Sequence, residues 1–287
     1  MNPASLTITA NNDTKSYGTL KTFGGTAFIQ SGLVTANGDS ITGVSETSTG
    51  APAPASVGGY SIVASAATGS GLSNYTISYV NGTLTVNPAS LTITANNDTK
   101  TYGTLKTFTS TAFTQTGLVA ANGDTLTGVS ETSTGAPASA SVGSYSIVAS
   151  AATGSGLSNY TISYVNGSLT VNPASLTITA NNDTKTYGTL KTFGGTAFVQ
   201  SGLVTANGDS ITSVSETSSG APVSATVGGY SIVASAATGS GLTNYTISYV
   251  NGSLTVNPAS LTITANDDTK PYGTLKTFCG TAFTQSG

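Results

Sequence analysis

The sequence predicts a mainly-β protein built as a tandem array of small domains, and two observations support this prediction. The first is an internal repeat: the segment Asn-Pro-Ala-Ser-Leu-Thr-Ile-Thr-Ala begins at Asn2, Asn87, Asn172 and Asn257, so successive starts lie 85 residues apart. The second is that apolar and polar residues alternate with a period of two in several segments of each copy, whereas a helical period of 3.6 is sustained nowhere. The repeat sets the size of the folding unit, and the alternation indicates strands.

These starts divide the chain into repeat 1 (residues 2–86), repeat 2 (87–171), repeat 3 (172–256) and a shorter fourth copy (257–287). Repeats 1 and 2 differ at eleven aligned positions, with no insertion or deletion. The fourth copy ends before the residues that match Tyr60 to Val86. We therefore expect residues 257–287 not to fold by themselves, and the chain to be a piece of a longer array.

Three segments of repeat 1 show how the strands are predicted. In Ser5–Ala10, Leu6 and Ile8 alternate with hydroxyl side chains, and residues 60–64 alternate in the same way. In residues 74–86, two alternating runs flank Asn81-Gly82, a dipeptide that favours a type I′ turn, so this segment predicts a β-hairpin. Five to seven short strands fit one repeat, and residues 30–36 fit either a strand or one helical turn. The strand pattern is compatible with a β-grasp-like and with an Ig-like topology.

The joint between repeats is short in the sequence. Val86 ends one predicted strand and Leu91 lies inside the next, which leaves the four residues Asn87-Pro88-Ala89-Ser90 as a linker. Proline fixes its own φ and favours extended geometry in the residue before it. We therefore expect semi-rigid joints that line the domains up into an extended rod.

Composition excludes several classes of protein. Charged residues make up only 7% of the chain, the formal net charge is −3, and its eight cationic residues are all lysines, so no basic stripe is present for nucleic acid. No apolar run is long enough to span a bilayer, and an export signal would have to lie outside this segment. With one cysteine and no histidine, the chain has neither a disulfide framework nor the usual ligands of zinc or haem. We expect no cofactor.

Few residues could carry catalysis. Asp39 and Glu46 form the only obvious pair of acids in a repeat, but both flank turns in a small domain without sequence for a substrate cleft. Serine and threonine have no histidine base to activate them. Cys279 stands where the other copies have glycine or threonine, which is typical of a tolerant surface position. We expect no catalytic residue and no enzymatic activity.

Two structural chemistries compete with ordinary turn and surface roles, and the ordinary roles are favoured for all of the residues concerned. Calcium is one, because hard oxygen ligands cluster in loops, although their spacing matches no known calcium loop. An intramolecular isopeptide bond formed by a lysine is the other. The candidate residues are Asn11, Asn12, Asp13 and Asp39 for calcium, and Lys15 or Lys21 for the bond. We predict no metal site, and the sequence identifies no ligand-binding residue.

The order of several short motifs resembles a known family, the MBG domain of the YGX type, found in filamentous-haemagglutinin-like bacterial surface adhesins. The motifs in repeat 1 are Thr14-Lys15-Ser16-Tyr17-Gly18, Ser31-Gly32-Leu33, Asn37-Gly38-Asp39, Val57-Gly58-Gly59-Tyr60-Ser61-Ile62, Asn74-Tyr75-Thr76-Ile77 and Asn81-Gly82-Thr83-Leu84-Thr85-Val86. The resemblance covers every full copy. This sequence departs from the family where Thr35-Ala36 separates Leu33-Val34 from Asn37. The resemblance implies an extracellular location on a bacterial cell surface.

Two functions follow from these observations. The first is a structural stalk or spacer in a secreted bacterial adhesin, for which uniform and stiffly joined copies are suited. The alternative is that each repeat weakly binds a glycan, mucin or surface protein and that repetition supplies avidity. In that case Tyr17 or Tyr79 could stack on a sugar ring, although a tyrosine in an alternating strand is more often part of the core. Flanking repeats of the parent chain are the other expected partners.

Overall fold

The structure, a computed structural model, describes all 287 residues. It is all-β, without an α-helix, and contains three repeated units of about 85 residues, which confirms the predicted tandem array of mainly-β units. The strands of repeat 1 are β1 (Ala4–Ala10), β2 (Asp13–Ser16), β3 (Phe28–Ser31), β4 (Ser40–Thr47), β5 (Gly58–Ser70), β6 (Tyr75–Val80) and β7 (Gly82–Asn87).

The later copies repeat this order. Repeat 2 holds β8 (Ala89–Ala95), β9 (Asp98–Thr101), β10 (Phe113–Thr116), β11 (Thr125–Thr132), β12 (Gly143–Ser155), β13 (Tyr160–Val165) and β14 (Gly167–Asn172). Repeat 3 holds β15 (Ala174–Ala180), β16 (Asp183–Thr186), β17 (Phe198–Ser201), β18 (Ser210–Thr217), β19 (Gly228–Ser240), β20 (Tyr245–Val250) and β21 (Gly252–Asn257). The fourth copy has only β22 (Thr262–Ala265) and β23 (Phe283–Ser286), which pair antiparallel.

Repeat 1 contains two sheets. The three-stranded sheet has the order β3-β1-β6, and its central strand β1 runs antiparallel to β3 and parallel to β6. The four-stranded sheet has the order β2-β7-β5-β4, in which β7 runs parallel to β2 and antiparallel to β5. The first strand therefore pairs with a strand near the end of the repeat, so a repeat is closed only when its last strands are in place.

The core of repeat 1 lies between these sheets and follows the predicted alternation. Leu6 and Ile8 of β1, Ile62 of β5 and Leu84 of β7 are almost completely buried there. The residues between them carry hydroxyl groups and face outward, because successive side chains of a strand point to opposite faces. The abundant serine and threonine therefore form the outer face of the strands.

The predicted hairpin at residues 74–86 is wrong. Strand β6 belongs to the three-stranded sheet and β7 to the four-stranded sheet, so Asn81 connects two sheets instead of two paired strands. Neither Asn81 nor Gly82 has a positive φ, as a type I′ turn would require. Glycine is needed at 82 for another reason: a Cβ atom there would lie 2.5 Å from the carbonyl oxygen of Asn11. The chain crosses between the sheets against the end of β1.

The segment 30–36, whose sequence fits either a strand or one helical turn, contains both a strand and a turn. Strand β3 continues to Ser31, and a short 3-10 turn follows at Thr35–Asn37. The two residues Thr35-Ala36 that depart from the family pattern thus form this turn together with Asn37. Gly38 follows with a left-handed φ of 75°, which brings Asp39 to the start of β4.

The linker is shorter than the four residues predicted. Strand β7 includes Asn87 and β8 begins at Ala89, so Pro88 alone lies between strands of successive repeats. Ala89 is partly buried against the apolar core of repeat 2. The joint is therefore almost entirely strand, and most of the predicted linker belongs to the folded repeats.

The chain forms two compact units. The first comprises Met1–Thr99, Lys106–Ala136 and Ser144–Thr170, and the second comprises Lys100–Leu105, Pro137–Gly143 and Val171–Gly287. Repeat 1 and most of repeat 2 lie in the first unit, and the second holds repeat 3, the fourth copy, two short segments of repeat 2 and its last residue, Val171. All side chains of residues 257–287 are exposed. The structure has no helix that is both long and apolar enough to cross a membrane.

Candidate functional site

The candidate site is a contact between repeats 1 and 2, inside the first unit, and it begins with the end of β2. Strand β2 lies at the edge of its sheet beside β7, and the next residue, Tyr17, donates its backbone N–H to the carbonyl of Asn87 at 2.8 Å. Gly18 has a φ of 82° and donates its N–H to Ala53. We call Tyr17-Gly18 and its equivalents the Tyr-Gly loop. It is held against the last strand of its own repeat and turned toward the next.

Tyr17 is buried in repeat 2, where only 4% of its surface is exposed. Its hydroxyl donates a hydrogen bond of 2.9 Å to Oδ2 of Asp124, and the hydroxyl of Tyr160 donates to the same oxygen. The two rings meet edge to face, with centroids 5.5 Å apart and planes at 76°. One buried carboxylate thus holds two tyrosines from two repeats, and the aromatic pair excludes water from these hydrogen bonds.

Three further residues of repeat 2 complete the contact. A side chain at Gly18 would place its Cβ 2.7 Å from a methyl group of Val119, so only glycine fits there. Asn159 accepts a hydrogen bond of 3.0 Å from the N–H of Val57, and Asn122 donates one of 3.3 Å to the carbonyl of Ala53. We call Val119, Asn122, Asp124, Asn159 and Tyr160 the receiving site. Asn122 and Asn159 bind backbone groups of repeat 1, whereas Asp124 binds the side chain of Tyr17.

The second unit contains the same contact between residues of repeats 2 and 3. Tyr102 donates a hydrogen bond of 2.9 Å to Asp209 and meets the ring of Tyr245 edge to face at 5.5 Å. The remaining members also match: Gly103 lies against Val204, Asn244 accepts from the N–H of Val142, and Asn207 donates to Ala138. The contact is therefore a repeated feature of the array.

The tyrosine hydroxyls act as donors at neutral pH. Burial, together with the hydrogen bond to Asp124, raises the pKa of Tyr160 to about 12. Burial beside Asp209 raises the pKa of Tyr245 to about 12 in the same way, and burial also raises the pKa of Tyr17 and Tyr102. Because a phenolate would be repelled by the carboxylate, the contact requires protonated tyrosines.

In the structure, each of the four candidate calcium ligands contacts a different partner. Asn12 accepts from the N–H of Thr83, while Asp13 accepts from the N–H of Thr14 and forms an ion pair with Lys21. Asp39 accepts from the hydroxyl of Tyr75 at 2.7 Å. Asn11 donates its backbone N–H to Ala27. No group of three or more acidic, histidine or cysteine side chains comes together as a possible metal site.

The two lysines considered for an isopeptide bond have different surroundings. Lys15 is buried, and its amine donates to the backbone carbonyls of Thr19 and Ala51, at 2.9 and 3.2 Å, and to that of Pro52. Burial lowers the pKa of Lys15. Lys21 forms the ion pair with Asp13. Lys15 thus has no acid or amide side chain among its partners and instead fixes the loops that support the Tyr-Gly loop.

The acids considered for catalysis are not brought together. Asp39 precedes β4 and Glu46 lies near the end of that strand, roughly 20 Å away at about 3.3 Å per residue. Two catalytic carboxylates of a glycosidase lie within about 10 Å. Asp39 instead occupies the position that Asp124 and Asp209 hold in the receiving sites. Cys279 is exposed in the fourth copy, beside Thr281.

Glu46 has an unusual environment that recurs as Glu131 and Glu216. One carboxyl oxygen of each is buried and has no hydrogen-bond partner. Burial raises the pKa of Glu46, which is also raised by the nearby carboxylate of Asp13. Ionised glutamate is therefore unfavourable at these three positions.

Replacing the three glutamates together by glutamine is expected to raise the free energy of unfolding at pH 7, by about 1 kcal/mol per repeat, because a buried group without a partner costs more when it is charged than when it is neutral. A carboxyl whose pKa is raised in the folded state stabilises the fold while it is protonated, and this contribution is lost as the pH rises through the folded-state pKa. The gain in free energy of unfolding of the variant over the wild type should therefore shrink when the pH falls below the ordinary glutamate pKa of 4.5.

Urea unfolding at pH 7 and at a pH below 4.5 measures the difference in free energy of unfolding between the variant and the wild type. Asp267→Asn is the control, because it removes a carboxylate from an exposed position of the fourth copy. An equal effect of the control, or a gain that does not depend on pH, would show that the ionised carboxylates of Glu46, Glu131 and Glu216 do not destabilise the fold.

The sequence did not predict the inter-repeat role of Tyr17. The sequence is compatible with Tyr17 as a sugar platform or as a core residue of its own repeat, whereas the structure places it in the core of the next repeat. Tyr79, the other tyrosine considered for sugar stacking, accepts a hydrogen bond of 2.9 Å from the N–H of Ala67 within repeat 1. The one available signal was the Tyr-Gly pair that follows β2 in every copy.

The fold and this contact define a class of protein: a tandem β-repeat array in which the Tyr-Gly loops of repeats 1 and 2 pack into the repeat that follows. The sequence model of the MBG domain (YGX type) matches residues 6–85, 91–170 and 176–255. The chain therefore belongs to the MBG domain (YGX type) family, as the resemblance indicated, and its Tyr-Gly loops are part of the matched regions.

Other comparisons give no closer relationship. No curated protein matches the sequence. Among solved structures, SGBP-B of the Bacteroides ovatus mixed-linkage glucan utilization locus, in complex with a mixed-linkage heptasaccharide, is 14% identical over 76% of this chain and 58% of its own, with a TM-score of 0.15. The I9–I11 tandem of titin is 11% identical over 90% of this chain and 98% of its own, with a TM-score of 0.18. These scores carry no argument about fold or function.

Proposed function

We propose that this chain is a spacer segment of a secreted bacterial cell-surface adhesin, in which MBG repeats hold a binding region away from the cell. The contact between successive repeats supports this function most directly. Each joint has a single residue between strands and a buried tyrosine that is held by a carboxylate of the next repeat. Such a joint resists bending, because bending would expose the ring and break its hydrogen bond.

A spacer role also accounts for the placement of the polar residues. The charged groups are used within the fold: Asp13 pairs with Lys21, Lys15 binds backbone carbonyls, and Asp124 binds tyrosines. The outer faces carry serine and threonine, which suits an extracellular array without specific chemistry. Catalysis is not part of this proposal.

The spacer proposal predicts that the maximum dimension of the array in solution grows by about 30–45 Å per repeat. Replacing Tyr17 and Tyr102 by alanine should shorten the mean dimension, because both joints lose their buried ring. Replacing Pro88 and Pro173 by glycine should shorten it less, because each of these prolines is exposed and the tyrosine contact remains. Small-angle scattering measures the maximum dimension of the wild-type chain and of both double variants.

Tyr272→Ala provides the control, because this tyrosine belongs to the fourth copy and is fully exposed. A wild-type chain that scatters as a compact globule would refute the spacer proposal. Equal dimensions for the wild type and the Tyr17→Ala, Tyr102→Ala variant would show that the tyrosine contacts do not stiffen the joints.

A further inference from the structure

The loop between β4 and β5 differs in composition from the strands around it. In repeat 1 it comprises residues 48–57, between Thr47, the last residue of β4, and Gly58, the first residue of β5. Apart from valine, it consists entirely of serine, threonine, alanine, glycine and proline, and the same holds for residues 133–142 and 218–227 of the other repeats. We call these three segments the hydroxyl loops. Segments rich in hydroxyl residues together with proline are typical of O-glycosylated stalks.

The backbone of the hydroxyl loop is held by the rest of its repeat. The buried amine of Lys15 donates a hydrogen bond of 3.2 Å to the carbonyl of Ala51. Further along the loop, the hydroxyl of Tyr60 donates one of 2.9 Å to the carbonyl of Ser56. Pro52, between these two bound carbonyls, is exposed. The loop therefore keeps a fixed shape and presents side chains to solvent.

The first two hydroxyls of the loop have different roles. Ser48 accepts a hydrogen bond of 3.2 Å from the N–H of Gly50, and the same bond recurs in the other two repeats. Thr49 is exposed, and no group of the chain hydrogen-bonds to its hydroxyl. Its equivalents Thr134 and Ser219 are exposed in the same way. The hydroxyl at this position is therefore open to reaction from solvent, whereas that of Ser48 is used within the loop.

A surface groove lies beside Thr49. It has a volume of about 340 Å³ and is lined by Thr47, Ser48, Thr49, Ser61 and Val63. The equivalent residues of repeat 2 line a groove of about 350 Å³. Val63 is 43% exposed, as is Val148 at the same position of repeat 2. A sugar ring attached at Thr49 has room to lie in this groove, with its carbon-bound hydrogens against Val63 and a hydroxyl beside Ser61.

We propose that Thr49, Thr134 and Ser219 are acceptor sites for O-glycosylation by a separate glycosyltransferase. The hydroxyl oxygen of Thr49 attacks the anomeric carbon of a sugar that is activated by a nucleotide or lipid pyrophosphate. A bond forms between that carbon and Oγ1, while the bond from the carbon to the phosphate oxygen breaks. The phosphate leaves with the bonding electrons, and the hydroxyl proton passes to a base of the transferase. Nothing is oxidised or reduced, and this chain acts only as the acceptor.

The low charge of the surface gives such a modification a physical role. Only 7% of residues are charged, and the acceptor positions recur every 85 residues. Attached carbohydrate is bulky and solubilising, so each sugar would add hydration to an irregular loop. The inference does not depend on the spacer role, because the same acceptor is exposed in a repeat that binds a ligand.

Mass spectrometry of the chain isolated from the surface of the bacterium that produces it tests this proposal. Trypsin cuts after lysine, so residues 22–100 and 107–185 are released as single peptides that carry one hydroxyl loop each. Each peptide is expected to exceed its sequence mass by one or more sugar residues, and fragmentation should place them on Thr49 and Thr134. The same chain produced in a laboratory strain without an O-glycosyltransferase should have its sequence mass.

A substitution in one repeat sharpens the test. Thr49→Val, made in the producing bacterium, should remove the sugar from the peptide 22–100 and leave the peptide 107–185 modified. Thr76→Val is the matched control, because Thr76 is also exposed but lies in strand β6, and this variant should keep both sugars. Peptides of unmodified mass from the producing bacterium would overturn the proposal. So would a sugar that stays on the peptide 22–100 of Thr49→Val, or one that fragmentation places on Thr76.

Discussion

Replacing Asp124 with alanine is expected to lower the free energy of unfolding by about 2–4 kcal/mol, because it leaves two buried tyrosine hydroxyls without their acceptor and each costs about 1–3 kcal/mol. These hydroxyls belong to Tyr17 of repeat 1 and Tyr160 of repeat 2. Asp209→Ala should have the same effect through Tyr102 and Tyr245. Urea denaturation of the full chain measures both.

Asp39→Ala is the matched control, since it makes the same chemical change at the equivalent position of repeat 1. There the carboxylate serves only Tyr75, in a groove that is open to water. Its cost should be about 1 kcal/mol, as for a single hydrogen bond. If the three variants lose the same stability, the contact between repeats contributes nothing beyond the hydrogen bond within each repeat.

Replacing Gly82 with alanine is expected to destabilise repeat 1 by about 3 kcal/mol, because an added methyl group would overpack a site that has no room. The new Cβ atom would lie 2.5 Å from the carbonyl oxygen of Asn11 and 2.6 Å from that of Ala10. Both are backbone atoms at the end of β1, which cannot move without disturbing the three-stranded sheet. Gly167→Ala and Gly252→Ala should do the same in the other repeats.

Gly38→Ala separates this crowding from backbone strain. Gly38 has a left-handed φ of 75° and no atom within 4 Å of its Cβ position, so alanine there should cost only about 1–2 kcal/mol of strain. Thermal or urea unfolding of the two single variants gives the comparison. Gly82→Ala being no more costly than Gly38→Ala would favour a turn at Asn81-Gly82 over the crossing between sheets.

The strands of each repeat could be predicted because their signal is local. Leu6 and Ile8 alternate with threonines over a few residues, and the two-residue period of a strand converts that pattern directly into one buried and one exposed face. The predicted count of five to seven strands includes the observed seven. Local alternation carries no information about which strands pair, so the sequence is compatible with both a β-grasp-like and an Ig-like topology.

The failure at residues 74–86 shows this limit. Two alternating runs around Asn81-Gly82 favour a hairpin on local grounds, but β1 provides a better partner for β6, and β5 and β2 provide partners for β7. The competing strands lie far away in the sequence. Gly82 is required by the close approach of Asn11, a contact that exists only in the folded repeat.

The role of Tyr17 was beyond sequence reasoning for a different reason. Since all copies carry the same residues, a tyrosine that packs into its own repeat and one that packs into the next have the same sequence. The role of Asp124 is equally ambiguous in the sequence, because an aspartate suits a solvated turn as well as it suits a buried acceptor for tyrosine hydroxyls. Only the folded array shows that Asp124 holds two tyrosines and that one of them comes from the preceding repeat.

The two parallel strand pairs of each repeat determine how the protein responds to tension. When the ends of a repeat are pulled apart, β1 is drawn toward its amino end and β7 toward its carboxyl end. Their partners β6 and β2 run in the same directions as the strands they pair with, over Ala4–Thr9 and Asp13–Ser16. The load therefore acts along these ladders in shear and strains their hydrogen bonds together, whereas a hairpin would unzip one bond at a time. Because forced unfolding is governed by the unfolding rate, a chain of these repeats can bear load without exceptional equilibrium stability.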